Sequence, residues 1–169
     1  MKANDLITNA LFELMSNKEY DDITVTDICK ASGYTRMSFY RNFKSKEDIL
    51  NQAFHEKFTS FITDTGKKTE ISVLFEFYTA NKSLIECIYK AGKQQLIIDQ
   101  LLTILGYSDD SPLEVQYSVS YFAYTFFSFL DVWYKRGMRE TAEQISKIMN
   151  RKTYTPLSST NSNKSSTVT

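Results

Sequence analysis

A cluster of basic side chains between positions 30 and 46 is the feature of this sequence most suited to binding chemistry. The chain is neutral overall, with 20 basic and 20 acidic residues, but this stretch contains no acidic residue. Its basic members are Lys30, Arg36, Arg41, Lys44 and Lys46. Such groups bind phosphates, and arginine can also donate two hydrogen bonds to guanine. The cluster predicts an anionic partner, although short charge runs are also common on ordinary solvated surfaces.

The residues around this cluster predict two short helices joined by a tight turn. Thr24 and Asp27 have capping-box spacing, with aspartate in place of the usual glutamate, and would start the first of these helices. Gly33 can adopt the positive φ angle that ends it. Thr35 can then cap the next helix, which we expect over residues 36–42. Two helices in this arrangement form a helix-turn-helix.

The second of these helices has an apolar side and a polar side. Phe39 and Phe43 lie four positions apart and should face the interior together. The polar side would then enter a DNA groove. The outward positions predicted for DNA contact are Arg36, Met37, Ser38, Tyr40 and Arg41.

Each polar position has a chemistry that fits DNA. Arg36 can reach guanine edges or a phosphate, whereas Tyr40 and Arg41 are better placed to hold phosphates, unless Tyr40 is a packed tyrosine. Helix N-termini also attract phosphates through free N–H groups. We predict that two helix N-termini act in this way. The first is residues 24–26, which include Thr24 and Thr26, and the second is residues 45–46, which include Lys46.

The rest of the chain is predicted to be helical. Apolar residues recur at helical spacing over 4–16, and a long helix is predicted from Ser45 to about Thr65. Further helices are expected near 70–80, 82–91, 93–105, 112–136 and 139–151. No useful strand-like alternation occurs, so the sequence predicts an all-α fold.

These patterns predict four regions along the chain. We expect a helix-turn-helix domain over 1–46, a linking helix over 47–66 and a C-terminal helical domain over 67–152. The break near 66–69 marks the boundary. The tail from 153 to 169 is rich in serine, threonine and asparagine, which predicts disorder.

The sequence around the turn resembles the TetR family of transcriptional regulators. The similar segments are residues 24–28 (TVTDI), 31–35 (ASGYT) and 38–46 (SFYRNFKSK), and the resemblance covers about residues 5–60. It implies an N-terminal three-helix DNA-binding domain and a C-terminal effector domain. By resemblance, DNA contact falls on Thr26, Thr35, Arg36, Ser38, Tyr40, Arg41 and Lys46.

Met37 departs from the family pattern, because this position is often glycine in the family. A bulky side chain on the exposed face would shift the base contacts or touch a thymine methyl group.

The family resemblance also implies a homodimer, formed by the last two long helices. On this basis we expect a four-helix interface across a two-fold axis, with recognition helices in successive major grooves. The residues predicted to be buried in it are Phe126, Phe129, Trp133, Ile145 and Ile148.

Family members commonly bind a small molecule in the C-terminal domain. Here an aromatic cavity would be lined by Phe75, Tyr78, Cys87, Tyr89, Tyr121, Phe122 and Tyr124. Aromatic residues at helical spacing are more often core than pocket, so control by a protein coregulator is an alternative to a small effector.

The sequence favours no catalytic role. His55 is the lone histidine, and we find no metal-ligand spacing, phosphate loop or nucleophile motif, so no enzyme activity, metal or cofactor is expected. Two cysteines in apolar stretches suit a reducing compartment. With no signal peptide or membrane span in the pattern, we expect a cytoplasmic protein.

The combined expectation is a regulator that binds double-stranded DNA at a palindromic operator as a homodimer, and most simply a repressor. One alternative is a regulator, including an activator, that a protein coregulator controls. An alternative of another class is a helical protein-interaction module without DNA binding, which would leave the basic cluster around Arg36 and Arg41 without a role.

Overall fold

A computed structural model describes residues 2–65 and 70–151, and within these ranges the chain forms nine α-helices, one short 3-10 helix and no strand. The helices are α1 (Ala3–Met15), α2 (Val25–Ser32), α3 (Arg36–Asn42), α4 (Lys46–Thr65), α5 (Ile71–Ala80), α6 (Lys82–Lys90), α7 (Gln95–Ile104), α8 (Leu113–Lys135) and α9 (Ala142–Asn150). The all-helical prediction is therefore confirmed.

The predicted helices all occur, with ends that differ from the prediction by at most a few residues. The bounds of α3 agree with the prediction, whereas α9 starts at Ala142 rather than near 139. The segment predicted as a polar connection contains the 3-10 helix, Tyr20–Asp22. The predicted break at 66–69 and the predicted disordered tail over 153–169 lie outside the described residues.

The first three helices pack around a small apolar core. Ile7 and Leu11 from α1, Ile28 from α2 and Phe39 from α3 are fully buried in it. Burial of these side chains is what holds such short helices, because isolated helices of this length are marginal in water. The core therefore sets the orientation of α3 against α1 and α2.

The second core lies among α5, α6, α7, α8 and α9 and is rich in aromatic rings. Phe75 of α5 packs against Phe126 of α8 at a centroid distance of 4.7 Å and edge-on against Trp133 at 5.2 Å. Phe77 packs edge-on against Phe58 of α4 at 4.6 Å. The rings thus tie α8 and the second half of α4 to the same core.

Helix α4 takes part in both cores. Leu50, near its start, belongs to the first core, whereas Phe54 and Phe58 belong to the second. Polar contacts strengthen this junction. Gln100 of α7, which is 9% exposed, donates from Nε2 to Asn51 Oδ1 at 2.9 Å, and its Oε1 lies 2.8 Å from His55 Nδ1.

Candidate nucleic-acid interface

The turn between α2 and α3 has the local structure that the sequence predicts. Thr24 and Asp27 form the capping box, in which the Asp27 N–H donates to Thr24 Oγ1 at 3.1 Å and the Thr24 N–H donates to Asp27 Oδ2 at 3.0 Å. Hydrogen bonds from Thr24 lower the pKa of Asp27, with Lys18 adding to the effect. Gly33 ends α2 with φ at +74°, a conformation that side chains with a Cβ rarely adopt. Both predictions are confirmed.

Helix α3 begins at a threonine cap and turns its two phenylalanines inward. Thr35 Oγ1 accepts from the Ser38 N–H at 3.1 Å, and Phe39 and Phe43 are 0% and 2% exposed. In a helix with about 3.6 residues per turn, positions two residues from a buried one lie about 160° around the axis. Met37 and Arg41 are therefore at the centre of the outward face, and both are exposed.

The residues predicted to contact DNA fall into two groups. Seven of them are exposed on α2, α3 and the N-caps of these helices: Thr24, Thr26, Thr35, Arg36, Met37, Tyr40 and Arg41. Ser38 is half-buried. Tyr40 is 52% exposed, although one edge of its ring meets Phe39 at a centroid distance of 5.2 Å. Tyr40 is thus partly a packed tyrosine and partly available at the surface.

Lys46 lies in a different environment from the free cation that we expected. Its ammonium group donates to the carbonyl oxygens of Tyr20 and Ile23, the latter at 3.0 Å, and lies 4.2 Å from the centre of the Tyr20 ring. Burial, with the nearby Glu47 and Asp21 carboxylates, raises the pKa of Tyr20 to about 12. Lys46 therefore holds the 3-10 helix against α4, a role in which its charge is already partnered.

Sequence reasoning missed the contact between Tyr20 and Lys46. The two residues are far apart in the chain, and the polar run before Ile23 gives no periodicity that marks Tyr20 as buried. The only signal was an aromatic residue inside a polar connection. The remaining basic residues of the cluster, Lys30, Arg36, Arg41 and Lys44, are exposed.

The residues predicted to line an effector cavity lie in three separate environments. Phe75 and Tyr78 are fully buried and pack against Phe126. Tyr89 stacks on Tyr134 at a centroid distance of 3.8 Å, while Cys87 and Phe122 are half-buried. Tyr121 and Tyr124 are 75% and 52% exposed. The seven side chains therefore do not line one shared cavity.

Burial also raises the pKa values of three groups among these residues. The pKa of Tyr78 is raised chiefly by burial, and the charge of an ionised Tyr89 would raise it further. The Tyr89 pKa is raised by burial and by the Asp131 carboxylate, and burial raises that of the Cys87 thiol. These groups are uncharged at neutral pH, as expected of core residues.

Most residues predicted for a dimer interface face this chain's own core. Phe126, Trp133 and Ile145 are 0%, 1% and 7% exposed in the single chain, so they cannot also be buried against a second copy. Phe129 is half-buried and Ile148 is 43% exposed. Both line a cleft of about 490 Å³ between α8 and α9.

Two further classes of site are absent from the part of the chain that the structure describes. No group of three or more His, Cys, Asp or Glu side chains there could hold a metal ion. None of the helices within residues 2–65 and 70–151 combines the length and the hydropathy of a membrane-crossing helix.

Comparison with known families agrees with the geometry of the turn. Residues 7–53 match the family described as bacterial regulatory proteins, tetR family. Residues 7–53 form a TetR-family N-terminal domain. This match includes most of α1, all of α2 and α3 and the first turns of α4, so the resemblance seen in the sequence is confirmed.

Known relatives of this chain are also regulators by name. One is the transcriptional activator DhaS of the dhaKLM operon from Lactococcus lactis subsp. lactis (strain IL1403), which is 27% identical over 92 residues. That alignment covers 52% of this chain and 49% of DhaS, so the chain spans about half the length of this relative.

Solved structures show the same fold over most of the chain. The dihydroxyacetone kinase operon activator DhaS superposes with a TM-score of 0.58 at 21% identity, covering 87% of this chain and 91% of DhaS. The fatty acid degradation regulator FadR from Bacillus halodurans has a TM-score of 0.52 at 17% identity, covering 88% and 93% of the two chains. The likeness to both is one of fold.

Proposed function

We propose that this chain is a transcriptional regulator that binds double-stranded DNA through α3. The observation that carries the proposal is the outward face of α3, where Met37 and Arg41 are exposed while Phe39 is fully buried. A helix held in this way presents its side chains to a major groove. The match of residues 7–53 to the tetR family supports the same conclusion.

The charges around α3 support binding to a polyanion. Lys30, Arg36, Arg41 and Lys44 are exposed, and no acidic residue lies between positions 30 and 46. Lysine and arginine at such a surface displace counterions from DNA, which makes binding strongly dependent on salt. A protein-interaction module would give these side chains no such role.

Replacing Arg36 or Arg41 with alanine is expected to weaken operator binding. Each loss should cost about 1–3 kcal/mol if the arginine reads a base, or lower the salt slope by about one if it holds a phosphate. The measurement is a fluorescence-anisotropy titration, at several salt concentrations, on DNA fragments selected by the purified protein.

Arg139→Ala is the matched control for these variants, because Arg139 is an exposed arginine between α8 and α9. Its affinity for the selected DNA should equal that of the wild type. Wild-type protein that retains no DNA fragment above background would overturn the proposal. Unchanged affinity and salt slope in both the Arg36 and Arg41 variants would remove these side chains from the interface.

The relatives' names bear on the direction of regulation. Repression by occupation of an operator is the simplest outcome of DNA binding and is our first proposal. DhaS is named an operon activator, and this name supports activation of transcription as our second proposal. A reporter gene placed behind the selected operator distinguishes them, because expression falls with a repressor and rises with an activator.

We also propose that the chain acts as a homodimer, through an exposed stripe of α8 continued on α9. Positions four or three apart along α8 share one face, and this stripe consists of Leu113, Tyr117, Tyr121, Tyr124 and Val132, all more than half exposed. Ile148 of α9 borders the same cleft as Val132. An apolar surface of this extent on a single chain is typical of an interaction site.

Val132→Glu is expected to give a folded monomer. Val132 is 57% exposed, so a carboxylate there is solvated in the single chain but would be buried without a partner in the dimer. Light scattering reports the molar mass, and circular dichroism reports the fold. A dimer that persists at micromolar concentrations in the variant would contradict this interface.

Val115→Glu is the control for this experiment. Val115 is also an exposed valine on α8, 42% exposed, but it lies two positions from both Leu113 and Tyr117 and so faces away from the stripe. The control variant should remain dimeric.

The division of the chain follows from these roles. We propose that residues 1–46 bind DNA, that residues 47–66 link the two cores, and that residues 67–152 carry dimerisation and control. Because the predicted cavity residues are dispersed, with Phe75 and Tyr78 closely packed, the packing favours a protein coregulator over a small effector at that place.

A further inference from the structure

The centre of the outward face of α3 holds an apolar side chain. Met37 is 73% exposed, and it is the second residue of the helix, which begins at Arg36. Residues near the N-terminus of a recognition helix are those that contact base edges. Met37 therefore lies at the centre of the outward face of α3 and also near its N-terminus, which is the end of a recognition helix that contacts the bases.

The neighbours of Met37 are suited to other contacts. Arg36 lies three positions before Phe39, which places it about 60° from the buried side, and Tyr40 meets Phe39 with one edge of its ring. Both are therefore on the flank of α3, where the DNA backbone would pass if α3 lay in the major groove. Arg41 shares the central line with Met37 but is one turn further from the N-terminus.

An apolar side chain at the groove floor needs an apolar counterpart. Methionine has no strong hydrogen-bond donor or acceptor. If it lay against the polar edge of a base, the polar atoms of that base would lose water without gaining a hydrogen bond, which is unfavourable. The apolar group that base pairs present in the major groove is the C5-methyl group of thymine. The flexible, polarisable methionine side chain packs readily against such a group.

We propose that Met37 contacts the C5-methyl group of a thymine in each half-site and thereby selects thymine at that position. The inference rests on the proposed function, because it assigns a specificity-determining residue to the DNA surface of α3. It also makes a statement about the operator: bound fragments share a thymine whose methyl group contributes to affinity.

The test removes the methyl group alone. Fragments retained by the full-length protein are sequenced, and each shared thymine is replaced in turn by deoxyuridine, which keeps the base-pairing edge. For one thymine per half-site, wild-type affinity should fall about fourfold, the value expected for one buried methyl group. Met37→Ala should bind the thymine and deoxyuridine fragments with equal affinity, because its short side chain does not reach the methyl group.

A second variant tests the same contact by changing its chemistry. Met37→Gln keeps the length of the side chain but adds an amide, which pairs with adenine through N6 and N7. Its selected fragments should carry adenine where the wild type selects thymine. The Arg139→Ala variant, changed at an exposed residue between α8 and α9, should keep the wild-type sensitivity to deoxyuridine.

The outcomes separate this inference from the proposed function. If the wild type binds no DNA, the proposed function fails and the inference falls with it. If the wild type binds selected DNA but deoxyuridine has no effect at any shared thymine, or has an equal effect on Met37→Ala, then the proposed function stands and the role of Met37 is wrong. In that case Met37 is an ordinary exposed apolar residue, which is common on protein surfaces.

Discussion

Phe39→Ala is expected to lower the free energy of unfolding of the N-terminal domain by about 3–5 kcal/mol, the usual range for deleting a buried phenyl ring. Phe39 is 0% exposed and contacts the rings of Tyr40 and Phe43 at centroid distances of 5.2 and 6.0 Å. A domain is typically stable by about 5–15 kcal/mol, so this loss is a large part of the total. Urea denaturation followed by circular dichroism measures it.

DNA binding should fall with the stability of this domain. Because α3 is only seven residues long, packing of Phe39 rather than helix propensity holds it in place. Met37→Ala changes a neighbouring but exposed side chain and should unfold at the wild-type urea concentration. A Phe39→Ala protein as stable as the wild type would show that α3 is not anchored in this way.

Trp133→Ala is expected to have a similar effect on the second core, about 3–5 kcal/mol. Trp133 is 1% exposed, its ring lies edge-on to Phe75 at 5.2 Å, and its Nε1–H donates to the Glu140 carbonyl at 3.0 Å. The substitution removes both the packing and the hydrogen bond that ties the turn after α8 to the core. Thermal unfolding followed by circular dichroism measures the loss.

Trp133→Phe separates the two contributions. It keeps an aromatic ring next to Phe75 but leaves the Glu140 carbonyl without its donor, which should cost less than the alanine variant. Light scattering of the Trp133→Ala protein under conditions where it is folded provides a second check. If that protein is a stable monomer with wild-type thermal stability, then Trp133 belongs to an interface between copies and not to the core of one chain.

Contacts at the junction of the two cores connect the helix-turn-helix to the C-terminal helices. Leu96 of α7 packs in the N-terminal core, Lys93 pairs with Glu47 at 2.7 Å, and Gln100 hydrogen-bonds to two residues of α4. These contacts join α7 to α4, the helix that takes part in both cores.

The sequence by itself determined the local structure of the helix-turn-helix. The box of Thr24 and Asp27, the turn at Gly33 and the cap at Thr35 depend on side chains within three or four residues of the backbone groups that they satisfy. The inward direction of Phe39 and Phe43 follows from helical periodicity against a polar opposite face. The family resemblance rests on these same residues, so it too was available from the sequence.

Only the tertiary structure decided which apolar surfaces meet. Periodicity indicates that Phe126 and Trp133 are buried, but it does not reveal whether they pack against Phe75 of the same chain or against a second copy. Likewise, the sequence shows that Lys46 is charged, but it does not show that the ammonium group binds the Tyr20 carbonyl and lies over the Tyr20 ring. The physical reason is the same in both cases: hydrophobic burial is non-directional, and contacts between residues distant in sequence depend on how the helices pack.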